Sequence, residues 1–142
     1  MKLCNFYVGD EIHIGALTAR GIVDVTEAGI TSDMNSVIAN AETALPLIAD
    51  ICSDENRPVV EVVRFANVTE PNKLACVGLN YKSHAEETGG TAPEEPVIFN
   101  KFSDQLCPHE TEVALPEWLR CFDYEAELVI VMGRHAWNVS EE

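Results

Sequence analysis

Positive charge is scarce in this sequence: nine lysines and arginines stand against 24 aspartates and glutamates, for a formal net charge of −15. A chain this acidic repels a phosphate backbone instead of neutralising it, which argues against nucleic acid as a partner. Long apolar runs are missing too. Although 46% of the residues are hydrophobic, no stretch approaches the roughly 20 residues that a membrane-spanning helix needs. The opening Met1-Lys2-Leu3-Cys4-Asn5 has none of the apolar core of a secretory signal. Five cysteines, at positions 4, 52, 76, 107 and 121, include no Cys-x-x-Cys pair. Their odd number reads as reduced thiols in a cytoplasmic protein, in which the sequons at Asn67 and Asn138 carry no sugar. Cys107 and His109 lie two apart, without the further soft ligands that would suggest zinc. No repeat or low-complexity tract interrupts the chain, and its 142 residues suit one ordinary domain or two small ones.

What is there begins with a meander. Leu3 to Val8, Ile12 to Leu17 and Ile22 to Val25 read as strands separated by turns at Gly9-Asp10 and Ala19-Arg20-Gly21. His13 sits in the second strand and is assigned no role beyond an edge or surface position. Met34, Val37, Ile38 and Ala41 recur at helical spacing behind the cap candidates Ser32 and Asp33. Thr43 can cap a second helix, with Pro46 in its first turn and Leu47, Ile48 and Ile51 as its apolar face. Val59 to Phe65 alternates as a further strand. The segment Val68-Thr69-Glu70-Pro71-Asn72 is the best linker candidate, dividing a small N-terminal domain (1–70) from a second domain (71–142).

Chemistry is concentrated in the second half. In Cys121-Phe122-Asp123-Tyr124-Glu125-Ala126-Glu127, the three acids stand at alternate positions, and Leu128 to Met132 continues as an unbroken apolar run. As a strand buried on both faces at its far end, this stretch puts the three carboxylates on one face, about 7 Å apart. Two such carboxylates repel by about 2–3 kcal/mol at an effective dielectric of about 20. Either solvent or a cation must relieve that repulsion, and the inward continuation through Val129 and Val131 favours the cation. Oxygen-only ligands point to Mg²⁺, Mn²⁺ or Ca²⁺. Two glutamates leave the ion short of a full shell, so at least one more protein ligand is required.

A second stretch, Lys73 to Gly90, reads as a short apolar strand ending at Gly78, a turn through Asn80 and Tyr81, and a short helix opened by Ser83 with Glu86 as its capping-box partner. His84 and Glu87 are three apart and share a helix face. A carboxylate beside an imidazole orients it and raises its basicity, as a general base acting on water requires, although a plain surface pair has the same spacing. Gly89-Gly90 and the Thr91–Pro96 segment that follows could be a lid or only a loop. Val97 to Lys101 and Val113 to Leu115 read as strands, with Trp118 packed beneath the loop leading into the acidic stretch.

Four motifs, Ala75-Cys76-Val77-Gly78-Leu79-Asn80-Tyr81, His84-Ala85-Glu86-Glu87, Phe99-Asn100-Lys101 and Phe122-Asp123-Tyr124-Glu125-Ala126-Glu127-Leu128, together resemble the fumarylacetoacetate hydrolase family in order and spacing. The resemblance covers residues from about 71 to 142. It implies an α+β, β-rich fold: a small N-terminal domain followed by the start of a mixed β-roll or β-sandwich catalytic domain, dimeric in the complete protein. It implies Mg²⁺ or Mn²⁺ on Glu125 and Glu127, a water-activating dyad of His84 and Glu87, and substrate contacts from Lys101 and Tyr81. It also implies a third metal ligand, an aspartate, and a catalytic lysine beyond residue 142. On this reading the chain is the front part of a longer enzyme and is expected to be inactive alone. The activity implied is metal-dependent hydrolysis of a carbon–carbon bond in a 2-oxo acid or 1,3-dicarbonyl acid. The alternatives are a decarboxylase, lyase or hydratase-isomerase of the same family, or a non-catalytic metal-binding remnant.

Overall fold

A computed structural model describes residues 1–62 and 64–140. The chain divides into two compact units, one made of Met1–Val68 with the chain from Pro108 onward, the other of Thr69–Cys107.

The first unit is built on a four-stranded antiparallel sheet in the order β3-β2-β1-β4. The strands are β1 (Lys2–Val8), β2 (Glu11–Thr18), β3 (Gly21–Asp24) and β4 (Phe65–Ala66). The β1–β2 register pairs Val8 with Glu11 across a two-residue turn. Gly9 takes φ +62 there, a left-handed conformation that glycine adopts without steric cost. One sheet face carries Ile14, Ala16 and Val23, which form a single core with Val25, Met34, Val37 and Ile48. The other face holds Phe6, His13 and Gly15. A Cβ on Gly15 would sit 2.6 Å from Ile22 Cγ2, so only glycine lets the strands close there.

Two helices cover the first face. In α1 (Met34–Ala39), the Asp33 carboxylate accepts from the Asn35 N–H as N-cap. The second helix, α2 (Ala41–Ser53), starts two residues before the expected cap Thr43, behind Asn40. Ile48 is fully buried and Ile51 packs on the core, but Leu47 is 58% exposed, one residue out of phase with that stripe. Arg20, from the β2–β3 turn, donates to the carbonyls of Asp54, Glu55 and Arg57 at 2.9–3.1 Å, fastening the loop after α2.

The strand expected over Val59 to Phe65, of which Val63 lies outside the described residues, is not continuous among the others. Val60 bridges Ile22 on one edge of the meander, and Phe65–Ala66 pairs with β1 on the other. One short segment thus engages both edges, which a continuous straight strand could not do. Asn5 then holds its end, donating from Nδ2 to the carbonyls of Asn67 and Val68.

The second unit contains β5 (Leu74–Gly78), α3 (Lys82–Glu87) and β6 (Val97–Lys101), with β5 and β6 paired antiparallel. Strands outnumber helices and alternate irregularly with them, so the α+β, β-rich expectation holds.

The chain from Leu106 to Ser140 contains no helix or strand. The strand expected at Val113 to Leu115 is absent, and Trp118 is 75% exposed instead of packed. The acidic stretch is not a strand either, and Leu128 to Met132 lie open to solvent. A buried strand needs hydrogen-bonded neighbours on both sides. Neither sheet includes this segment among the described residues, so its apolar sequence alone does not make it one.

Candidate functional site

The turn from β5 into α3 sets the first group of candidate side chains. Leu79 turns the chain with φ +51, a left-handed conformation that is costly for a branched side chain. Tyr81 follows as the N-cap of α3, without a side-chain capping bond. The helix begins at Lys82, so the capping box expected between Ser83 and Glu86 is not formed, and Glu86 is exposed. Ala85 is the buried anchor of the helix. His84, beside it, is half-buried, and Glu87 lies exposed one turn further on.

The far end of α3 is closed tightly. Gly89 at φ +76 donates its N–H to the Glu86 carbonyl at 3.0 Å, and Gly90 donates to the Ala85 carbonyl at 2.9 Å. This is the paired hydrogen bonding of a Schellman cap. The Thr88 hydroxyl adds bonds to the carbonyls of His84 and Ala85. The two glycines therefore act as a helix stop, and the chain beyond them, 91–96, is the open part of the loop. Lys101 ends β6, in register with Leu74, with its ammonium exposed.

Tyr81, His84, Glu87 and Lys101 thus belong to one unit, Thr69–Cys107. Glu125 and Glu127 belong to the other, on an exposed stretch where the Asp123 carboxylate accepts from the Tyr124 N–H at 2.8 Å. The two glutamates supply hard oxygen donors of the kind Mg²⁺ or Mn²⁺ takes. Yet no three His, Cys, Asp or Glu side chains gather as a metal group among the described residues. As placed, the pair does not make a complete metal centre.

Two further features carry no sequence-predicted site residue. A shallow cavity of about 290 Å³ at the start of α2 is lined by Ile38, Asn40, Glu42, Thr43, Gly133 and Arg134, with Arg134 paired to Glu42. On the second face of the first sheet, His13 Nδ1 lies 2.7 Å from Asp24 Oδ2, and both side chains are largely buried. Asp24 also accepts from the Glu27 N–H at 2.9 Å, and Glu11 stands 4.0 Å from His13 Nε2. The sequence reading gave His13 no role. The available signal was register: Asp24 pairs with Gly15, two residues from His13 on the same strand face. All five cysteines are free, and burial pushes the thiols of Cys4 and Cys52 above their ordinary range.

Residues 73–142 match the family model described as fumarylacetoacetate (FAA) hydrolase C-terminal. The chain belongs to the fumarylacetoacetate hydrolase family. It is 35% identical, over 90% of its length, to the fumarylacetoacetate hydrolase domain-containing protein 2 homolog of Dictyostelium discoideum. It is 32% identical, over 98% of its length, to the mitochondrial oxaloacetate tautomerase Fahd2a of Rattus norvegicus. The chain spans 44% and 47% of these two relatives. Among solved structures, the fumarylacetoacetate hydrolase of psychrophilic Exiguobacterium antarcticum superimposes with a TM-score of 0.53 at 25% identity. That match covers 72% of this chain and 36% of the other. The family fold is therefore shared.

The expectation of a cytoplasmic protein is overturned by these relatives: the tautomerases of Rattus norvegicus, Xenopus laevis and Homo sapiens are all named as mitochondrial. Reduced cysteines argue against an oxidising compartment, but they do not choose among the reducing ones.

Proposed function

We propose that these residues serve an enzyme that moves a proton on an enolisable 2-oxo acid such as oxaloacetate. The relatives named oxaloacetate tautomerase, aligned over 98% of this chain in one case and 75% in another, carry the reading. Keto–enol exchange needs a base for the proton on the carbon beside the oxo group and a donor for the oxo oxygen. It consumes no water. His84 is the proton carrier, half-buried on a capped helix, with Glu87 on the same face to bias the imidazole. Lys101 would attract a substrate carboxylate, and the Tyr81 phenol would hydrogen-bond an oxygen of the same acid.

Hydrolysis of a carbon–carbon bond is the second reading, favoured by the family that residues 73–142 match. It uses the same base on water instead of on carbon. Both readings place residues 71–142 in the catalytic domain. Family enzymes of this kind take a divalent ion, and Glu125 and Glu127 are the proposed ligands for Mg²⁺ or Mn²⁺, with the third ligand outside residues 1–142. Bound there, the ion would supply Lewis acidity.

The test separates the two reactions. In any preparation that turns over oxaloacetate, enol absorbance decays faster than in buffer with no new carbon product, whereas hydrolysis of an acylpyruvate releases pyruvate. His84→Ala should lower the accelerated rate by about 10²–10⁴-fold, the usual range for losing a general base. Parent-like turnover in that variant would remove His84 from the mechanism.

A further inference from the structure

The second face of the first sheet holds a group of side chains that the proposed reaction does not use. Phe6 and His13 stand opposite one another across β1 and β2, with ring centroids 6.0 Å apart. Phe6 is buried, so its ring is a fixed wall beside the imidazole. The Asp24 carboxylate holds that imidazole by its other end. Its Oδ2 lies 2.7 Å from His13 Nδ1, and its Oδ1 accepts from the Glu27 N–H at 2.9 Å. A neutral imidazole beside such a carboxylate keeps its proton on Nδ1, which leaves a lone pair on Nε2. Glu11, two residues earlier on the same face of β2, brings Oε2 to 4.0 Å from that Nε2. The gap is too long for a hydrogen bond.

A lone pair and a carboxylate that face one another repel, and a cation between them turns the repulsion into two bonds. We propose that His13 Nε2 and the Glu11 carboxylate bind a divalent ion of the zinc type, with Asp24 orienting the imidazole from outside the coordination shell. Bonds of about 2.0–2.2 Å from zinc to nitrogen and oxygen set the two donors about 3.4 Å apart at a tetrahedral angle. Glu11, whose side chain is 88% exposed, closes the remaining fraction of an ångström by rotation. A ligating histidine almost always gives its other N–H to a carboxylate or carbonyl, and His13 and Asp24 already have that arrangement. Nitrogen beside oxygen suits zinc, nickel or copper, whereas the oxygen-only pair Glu125 and Glu127 suits Mg²⁺ or Mn²⁺, so the two sites take different metals. Two protein ligands leave the other positions to water. The site is therefore weak and exchangeable, in keeping with the lack of any three-ligand group among the described residues. The ion joins Glu11, the first residue of β2, to Asp24, the last of β3, through a single ring. The rival is an imidazolium held between the same two carboxylates with no metal.

The experiment is a zinc titration of the whole chain at neutral pH, read by nitrogen NMR of its four histidine rings. A ring-specific readout is needed because the five free cysteines also take zinc. Zinc is expected to shift His13 Nε2 in a saturable way, whereas Mg²⁺ leaves it in place. Glu11→Gln keeps the shape of the side chain and removes its charge, and it should weaken the His13 titration by about tenfold or more. The Glu11 side chain is exposed, so that variant keeps the fold, and circular dichroism checks it. A His13 ring unmoved by zinc overturns the proposal, whether Nε2 stays neutral or already carries the proton of the rival imidazolium. So does a titration equally tight in Glu11→Gln, which is what an imidazole acting alone gives.

Discussion

His13 and Asp24 show how much one pair of side chains can hold. Asp24 is 8% exposed, and its carboxylate keeps two partners, the His13 ring and the Glu27 N–H. Removing one member of a buried pair strands the other, typically at a cost of about 3–5 kcal/mol. His13→Ala should therefore destabilise the first unit by about 3 kcal/mol in chemical denaturation. Asp24→Asn should cost less, because its amide oxygen still accepts from Glu27. If His13→Ala unfolds at the parent midpoint, the pair is incidental. Glu125 and Glu127 present a different situation: both are exposed, and among the described residues no group of three metal-ligating side chains is found. Changing either to Gln should weaken Mn²⁺ binding measured by calorimetry. Unchanged binding in both variants would return them to an ordinary solvated stretch. The contrast explains what could be read in advance. Glu125 and Glu127 stand out as candidates because their spacing with Asp123 repeats a motif. His13 does not, since its partner is set by strand register, which no single strand's sequence reports.

At the scale of elements, the meander and α1 follow closely from alternation, turn glycines and the Asp33 cap. The Ser36 hydroxyl, donating to Asp33, holds that carboxyl below the usual aspartate range. Whatever the cap contributes is thus present above the ordinary aspartate pKa and is lost as pH falls through the lowered value. Helix α3 owes its end to Gly89, and Gly89→Ala forces a Cβ into a left-handed residue. That substitution should cost about 1–2 kcal/mol locally. It should also loosen the turn carrying His84 and Glu87, seen as faster amide exchange at Gly89 and Gly90. Unaltered exchange would show that the cap is dispensable. Pro46 lies inside α2, where it removes a bond to the Glu42 carbonyl. Because its side chain is exposed, Pro46→Ala should stabilise the unit by about 1 kcal/mol or more. A lower melting point would show that α2 needs the break. The acidic stretch was the least faithful reading. Leu128 to Met132 have the composition of a buried strand, but strand identity is conferred by neighbours, and propensity cannot supply them.

Across the whole molecule, apolar surface is unevenly distributed. The sheet and helices of the first unit close a compact core, whereas Leu128, Ile130 and Met132 of the same unit are 70–80% exposed. Exposed runs of this kind bind hydrophobic dyes and promote association. The purified chain should bind such a dye while still folded, and Ile130→Lys should reduce that signal without shifting the unfolding midpoint. Arg20 has a different reach. Its guanidinium joins a turn of the sheet to a loop more than 30 residues later, across the whole length of both helices. The loop is held there only while the β2–β3 turn presents Arg20, so the latch depends on the sheet that carries it. It also makes the latch a proteolytic gate. With Arg20→Ala, residues 54–57 lose three anchors at once, and a protease that cuts after acidic residues should cleave after Asp54 or Glu55 long before the sheet itself opens.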